Sequence, residues 1–343
     1  MSGRGPVVVT GGAGYLGSVM TRRLLAAGRP VTVIDDLTFG DHGLASVRHD
    51  PGLQVVPVDV RDVPVLRAVL TGAEAVVHLA AVANDPSGDL DRALTRSINF
   101  DVYAPLLEAC REAGVRTFVN ASSFSVYGIA VRPNITEDDP LNCLREYSRC
   151  KADAEPLVRS YDSPSMTTVN LRLATLCGWS PRMRFDLVAN LLLGEALRYR
   201  RITVVGGEQC RPQVHLHDVC DLVELLLDAP RDRIGGEVFN VGGENTSILE
   251  LATTARDVVQ ADGRGPVTLT HEPARDDERS YVVSSEKLAR TLGFRATRTV
   301  ARAMADVAAA YERGEWHDHR SPEHHNVRHL LGVLAAQRAR AVV

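Results

Sequence analysis

Lysine is almost missing from this chain. Only Lys151 and Lys287 occur among its 39 basic residues, so each invites a question about its purpose. Charge of either sign is nearly balanced too, with a formal net charge of −4. That balance gives no electrostatic reason to expect nucleic acid as a partner. No apolar run approaches the roughly 18 residues a membrane-crossing helix needs, so no membrane partner is expected. Six cysteines (Cys110, Cys143, Cys150, Cys177, Cys210, Cys220) form no CxxC pair and no metal-finger spacing. They read as reduced thiols of a cytoplasmic protein rather than a disulfide framework. The opening MSGRGPVVVTGG lacks the apolar core of a secretory signal. Repeats and low-complexity stretches are likewise missing.

What is present is a globular composition: 343 residues, 45% hydrophobic, enough to bury a large core and to exclude dominant disorder. Short β-branched runs alternate with helical patterns over the first half. Strands are expected at 7–10, 31–35, 53–59, 75–79, 117–122 and 168–173, and helices at 17–27, 63–70, 94–113 and 149–161. This rhythm predicts an α/β fold, a doubly wound parallel sheet covered on both faces. Strands buried on both sides read as continuous apolar runs, as these do. Beyond about residue 178 the rhythm breaks at the turn WSPRMR, and a smaller mixed C-terminal lobe is expected. The expected division is 1–178 for the main domain, with 212–242 returning to it. The second lobe would then be 179–211 and 243–316, and the His- and Arg-rich 317–343 a surface tail.

Four features carry chemistry. The first is VVVTGGAGYLGS at 7–18, which satisfies GxGxxG with Gly12, Gly14 and Gly17, and TGxxGxxG with Thr10, Gly11, Gly14 and Gly17. Glycine is required where backbone must turn tightly and approach a diphosphate, with a helix N-terminus behind it to meet the charge. Following a strand and opening a helix, it predicts a dinucleotide site and makes 1–178 the dinucleotide-binding, Rossmann-type domain. The second is Asp35, 18 residues past Gly17 at the end of a strand. A carboxylate there accepts from ribose hydroxyls and repels a 2′-phosphate, which favours NAD over NADP. The third is Tyr147 with Lys151, one helical turn apart, so that the ammonium can favour a phenolate and make the tyrosine a general acid/base. The fourth is ASSFSVYG at 121–128, which sets Ser122 and Ser123 at a strand's carboxyl end, where ligands of such sheets bind.

In this order the features resemble the extended short-chain dehydrogenase/reductase family, also called the NAD-dependent epimerase/dehydratase family, and nucleotide-sugar 4-epimerases within it. The resemblance runs from about residue 7 to about 295. It implies Ser123, Tyr147 and Lys151 as the catalytic triad. It also implies a cofactor site of Gly11, Gly14, Tyr15, Leu16, Gly17, Asp35, Asp59, Val60, Leu79, Ala80, Ala81 and Asn99, shared with Tyr147 and Lys151. Ser123, Thr175, Arg211 and Arg275 are implied on the nucleotide-sugar side, the two arginines as two-point diphosphate ligands. A homodimer joined through the helices at 94–113 and 149–161 is a family expectation as well.

Departures from the family pattern bear on the reaction. Sugar-nucleotide 4,6-dehydratases usually carry an Asp-Glu pair just after the catalytic hydroxyl residue, and here Phe124 and Ser125 stand there. The reading is therefore an enzyme that transiently oxidises carbon 4 of a nucleotide-sugar and returns the hydride to the other face. A 4-ketoreductase or dehydrogenase is the closest alternative, followed by a decarboxylase or dehydratase working through the same 4-keto species. A non-catalytic dinucleotide sensor is the rival from another class, disfavoured because Tyr147 and Lys151 are both present. The histidines at 317, 319, 324, 325 and 329 are read as a polar tail, and no metal is expected.

Overall fold

The computed structural model describes residues 5–129, 134–261, 263–273 and 280–341. In chain order its strands are β1 (Val7–Thr10), β2 (Val31–Asp35), β3 (Leu53–Pro57), β4 (Ala75–His78), β5 (Thr117–Ser123) and β6 (Thr167–Leu173). Then follow β7 (Thr175–Cys177), β8 (Arg201–Val205), β9 (Cys210–His215), β10 (Glu237–Val241), β11 (Glu244–Ser247) and β12 (Thr268–Glu272). Seven of them form one sheet in the order β10-β6-β5-β4-β1-β2-β3, with every pairing parallel.

The apolar runs explain the double covering. Val7, Val9, Val33 and Val77 face one core, while Val8, Ile34, Val76 and Phe118 face the other, all essentially without exposure. Alternate residues of a strand point to opposite faces, so both faces must be apolar when helices cover both. From β1 the chain winds outward through β2 and β3, then returns to place β4 on β1's other side. That reversal between β1 and β4 opens a crevice at their carboxyl ends.

The second lobe holds a three-stranded sheet, β11-β9-β7, and the parallel pair β12-β8, packed with helices Val188–Tyr199, Ile248–Ala261 and Val300–Glu312. Between those segments the chain revisits the main sheet: helix Leu216–Asp228 lies on helix Tyr15–Ala26, and β10 pairs with β6.

Two local expectations change. The helix expected over 94–113 is three pieces: Arg92–Arg96, a wide π turn at Ser97–Asp101, and Tyr103–Ala113. The wide turn contains Asn99, whose side-chain amide is buried and grips the backbone of Val82 from both sides, donating to its carbonyl (3.0 Å) and accepting from its N–H (2.8 Å). Such turns let a side chain reach where an α-helical register would not. The tail also differs from the surface extension expected at 317–343. Trp316 and His319 are buried, and residues Asn326–Ala341 form a helix. His319 bonds Glu195 (3.0 Å), and Asn326 accepts from Arg182 (2.7 Å), so polar residues that looked like tail solvation fasten the segment to the fold.

Candidate active site

At the end of β1 the chain turns through Gly11, whose φ is +70°. A Cβ there would lie 2.8 Å from the backbone nitrogen of Ala80, and one at Gly17 would lie 2.1 Å from the Gly11 carbonyl. Only glycine lets the loop fold this tightly against the next strand. Helix Tyr15–Ala26 starts behind the loop with no side chain capping its first turn, which leaves amide donors for an anion. At the end of β2, Asp35 accepts from the backbone N–H of Ala13 (2.9 Å) and of Leu37 (2.9 Å). Leu37 reaches back by adopting a φ of +56°. A carboxylate offers about four acceptor positions, so two remain for a ribose.

Two connected cavities fill the crevice. One, of about 370 Å³, is lined by Asp35, Asp59, Val60 and Ala80. The other, of about 650 Å³, is lined by Tyr15, Leu16, Gly17, Ser123, Tyr147, Lys151, Thr175 and Arg211. Gly11, Leu79 and Ala81 border both. The structure thus gathers most of the residues singled out in the sequence along one groove. Gly14 and Asn99 lie off it: Gly14 shapes the loop by a bond to the Gly11 carbonyl (3.1 Å), and Asn99 holds Val82 in place. Asp59 is held by Arg61 in a two-point pair that keeps its carboxyl below the usual range. Arg275 lies outside the described residues.

At the inner end, helix Glu146–Ser160 brings Tyr147 and Lys151 to the carboxyl end of β5. Gly88 makes the approach possible, since a Cβ there would sit 2.9 Å from that of Tyr147. Tyr147 and Ser123 border the same cavity, and the Ser123 hydroxyl accepts from Ser125 Oγ (3.0 Å) and from the Ser125 N–H (3.2 Å). Lys151 is 3% exposed and donates to the Ala121 carbonyl (2.7 Å). Ser122, next to Ser123 in the chain, is spent on structure, donating to Glu155 (2.5 Å), which in turn pairs with buried Arg172 (2.7 Å).

The electrostatics differ from the sequence expectation in one respect. Burial pushes the Tyr147 phenol up to about 12, with Ser123 pulling the other way, rather than Lys151 drawing it down. The reason is geometric: the Lys151 nitrogen sits 5.9 Å from the ring centre and is engaged with Ala121. Burial also lowers Lys151 to about 8. Lys151 is buried and Tyr147 half-buried, both bordering the inner cavity.

The opposite wall comes from the second lobe, and beside Arg211 it holds Arg182 and Arg184, which were not recognised in the sequence as part of a site. Their signal was the arginine pair in WSPRMR. Arg184 pairs with Asp186 (2.7 Å), which accepts from Asn84 (3.0 Å), a residue held at φ +82°. Arg182 is 3% exposed, stacks on Phe39 (4.1 Å to the ring centre) and donates to Asn326. Among the described residues it has no carboxylate partner, and its buried Nε bonds nothing. It lines the same stretch of groove as Gly11, Leu16 and Gly17. A buried cation in the same cavity as a helix N-terminus suits a dinucleotide diphosphate. Tyr15, by contrast, spends its hydroxyl on the Gly178 carbonyl (2.7 Å) and on Asn190 (2.9 Å), tying the glycine-loop helix to the second lobe.

The model of the NAD dependent epimerase/dehydratase family matches residues 7–242. The chain belongs to that family. A dTDP-glucose 4,6-dehydratase of Streptomyces griseus is 31% identical over 92% of this chain and 95% of its own. A UDP-glucose 4-epimerase of Mycolicibacterium smegmatis is 30% identical over 87% and 96% respectively. Among solved structures, MoeE5 in complex with UDP-glucose and NAD is 29% identical, with a TM-score of 0.76 over 90% of this chain and 99% of that one. The dTDP-glucose 4,6-dehydratase DesIV of Streptomyces venezuelae, with NAD bound, is also 29% identical, with a TM-score of 0.78 over 91% and 98%.

Within this epimerase/dehydratase family, the two positions after Ser123 bear on the reaction. Phe124 is buried against Tyr127, and Ser125 turns its hydroxyl back onto Ser123. Both border the inner cavity, which therefore has a ring and a hydroxyl, and no carboxylate, at these two positions.

Proposed function

We propose that the chain is a NAD-dependent nucleotide-sugar epimerase acting at carbon 4 of the sugar. The observation that carries this reading is the assembly of Ser123, Tyr147 and Lys151 beside a cavity in which Phe124 and Ser125 occupy the two following positions. NAD supplies a hydride acceptor that later returns the hydride. Tyr147 takes the proton of the sugar hydroxyl as carbon 4 is oxidised, and gives it back when the ketone is reduced. Ser123 donates to that same oxygen and steadies it as its charge changes. Lys151 holds the nicotinamide ribose and, once fully charged, favours the phenolate. Arg211 faces the sugar-nucleotide diphosphate, and Asp35 accepts from the adenosine ribose. No carboxylate stands at positions 124 and 125 to remove a proton and eliminate water, which favours epimerisation over 4,6-dehydration.

The test is to purify the protein, add no cofactor, and incubate it with UDP- and dTDP-hexoses. Interconversion of a 4-epimer pair beyond one equivalent per enzyme is expected. Turnover that stalls after one equivalent would make the protein a reductase or dehydrogenase with exchangeable cofactor. Accumulation of a 4-keto-6-deoxy product would make it a dehydratase.

A further inference from the structure

The terminal segment has no part in the reaction just described, yet it is fastened to the rest of the fold at three points and braced once within itself. The His319 ring lies against helix Val188–Tyr199, so close that a Cβ at Gly194 would come within 2.7 Å of it, and it bonds Glu195. His325 bonds the His319 carbonyl (2.7 Å). Asn326 takes the Arg182 guanidinium. His329 donates to the Thr38 carbonyl (2.7 Å), and its ring lies 4.7 Å from that of Phe39. These ties lay helix Asn326–Ala341 along the outer cavity.

Leu330, Val333, Leu334 and Gln337 then line that cavity opposite Asp35, Val60 and Ile98. Their spacing of three and four residues is one face of a helix. A helix fixed there only to cover the core would bring these leucines into packing contact. Instead Leu330, Val333 and Leu334 stay half-buried, bordering a space of about 370 Å³. That space has two apolar walls and, at one corner, a carboxylate with acceptor positions to spare. A flat heteroaromatic ring between the walls, with its ribose hydroxyls on Asp35, matches this arrangement.

We infer that the C-terminal helix is a wall of the adenosine compartment, with Leu330, Val333 and Leu334 packing on the adenine of NAD and setting how slowly the dinucleotide leaves. This rests on the proposed function and extends it. An enzyme that takes a hydride and returns it in the same visit needs a cofactor that stays. A helix tethered across the outer end of the groove provides that retention by burying apolar surface that release must expose.

Release of bound NAD from the full-length, NAD-loaded protein is followed after rapid gel filtration. Leu334→Asp, which places a charge against the purine, should release NAD at least about tenfold faster than wild type. Leu331→Asp, on the exposed outer face of the same helix, should release it at the wild-type rate. If Leu334→Asp melts well below wild type without NAD, Leu334→Ala carries the comparison and a severalfold faster release is expected. Wild-type release rates in both Leu334 variants would overturn the inference while leaving the epimerase reading intact. A wild-type protein that retains NAD but interconverts no nucleotide-sugar would sink the epimerase reading alone. One that binds no NAD would sink both.

Discussion

The two walls of the groove solve the same problem with different materials. On the sheet wall, chemistry comes from residues at fixed distances in sequence: a glycine loop, a strand-end aspartate, and a tyrosine and lysine one helical turn apart. Their polar neighbours are consumed internally, as Ser122, Glu155 and Arg172 show by bonding one another. The Ser123 O–H, whose oxygen accepts only from Ser125, and the Tyr147 phenol border the cavity and are left for a ligand. On the second-lobe wall, the groups are gathered from far apart. Arg182 meets Phe39 and Asn326, which lie 143 residues before it and 144 after it. The contrast teaches that the groups proposed to react are set by local geometry, whereas those proposed to grip the cofactor from outside depend on how two lobes and a tail come together.

The largest expected break in that contrast is on the sheet wall. Tyr147→Phe removes the proton carrier and leaves the ring, so turnover should fall about a thousandfold while NAD affinity stays near wild type. A steady-state assay beside a NAD titration checks this. Substantial residual activity would remove Tyr147 from the mechanism. A comparable loss of NAD affinity would mean instead that the residue mainly holds the cofactor.

On the second-lobe wall the balance is reversed. Arg182→Met should weaken NAD binding by up to about a hundredfold, because a charged donor to a diphosphate is lost. The protein without NAD should melt within a few degrees of wild type, since relief from burying the cation is set against the lost bond to Asn326 and stacking on Phe39. Calorimetric titration and thermal melts read the two effects separately. Unchanged NAD affinity would take Arg182 off the cofactor and assign the two walls the same role.

The doubly covered parallel character of the sheet, the glycine turn, Asp35 and the Tyr147–Lys151 spacing were legible because each shows in local pattern, whereas the order of the strands did not. Ser122 and Ser123 are adjacent, and only the structure separates them, because Glu155 lies 33 residues from Ser122. The arginines of WSPRMR were visible as a composition but had no address until helix Val188–Tyr199 and Asn326 were placed around them. The terminal histidines misled for the same reason. Polar residues in a row suggest solvent, and nothing local reveals that Glu195 and Thr38 wait to accept their bonds.

The expected pH dependence follows from the same difference between reacting and gripping groups, and it is the smallest effect. Lys151 sits at about 8 in the fold, below the roughly 10.4 of a free lysine. Between those values the unfolded chain binds a proton that the folded chain does not, so stability contributed at this site rises with pH. Below pH 8 both states carry the charge, and the fold bears the full cost of burying it. The wild-type protein without NAD should therefore gain on the order of 2 kcal/mol relative to Lys151→Met between pH 8 and 10. Denaturant titrations of both proteins at the two pH values measure it. A flat difference would show that Lys151 is solvated well enough to keep its ordinary proton affinity. The groove would then owe less to burial than the geometry of Ala121 and Tyr147 implies.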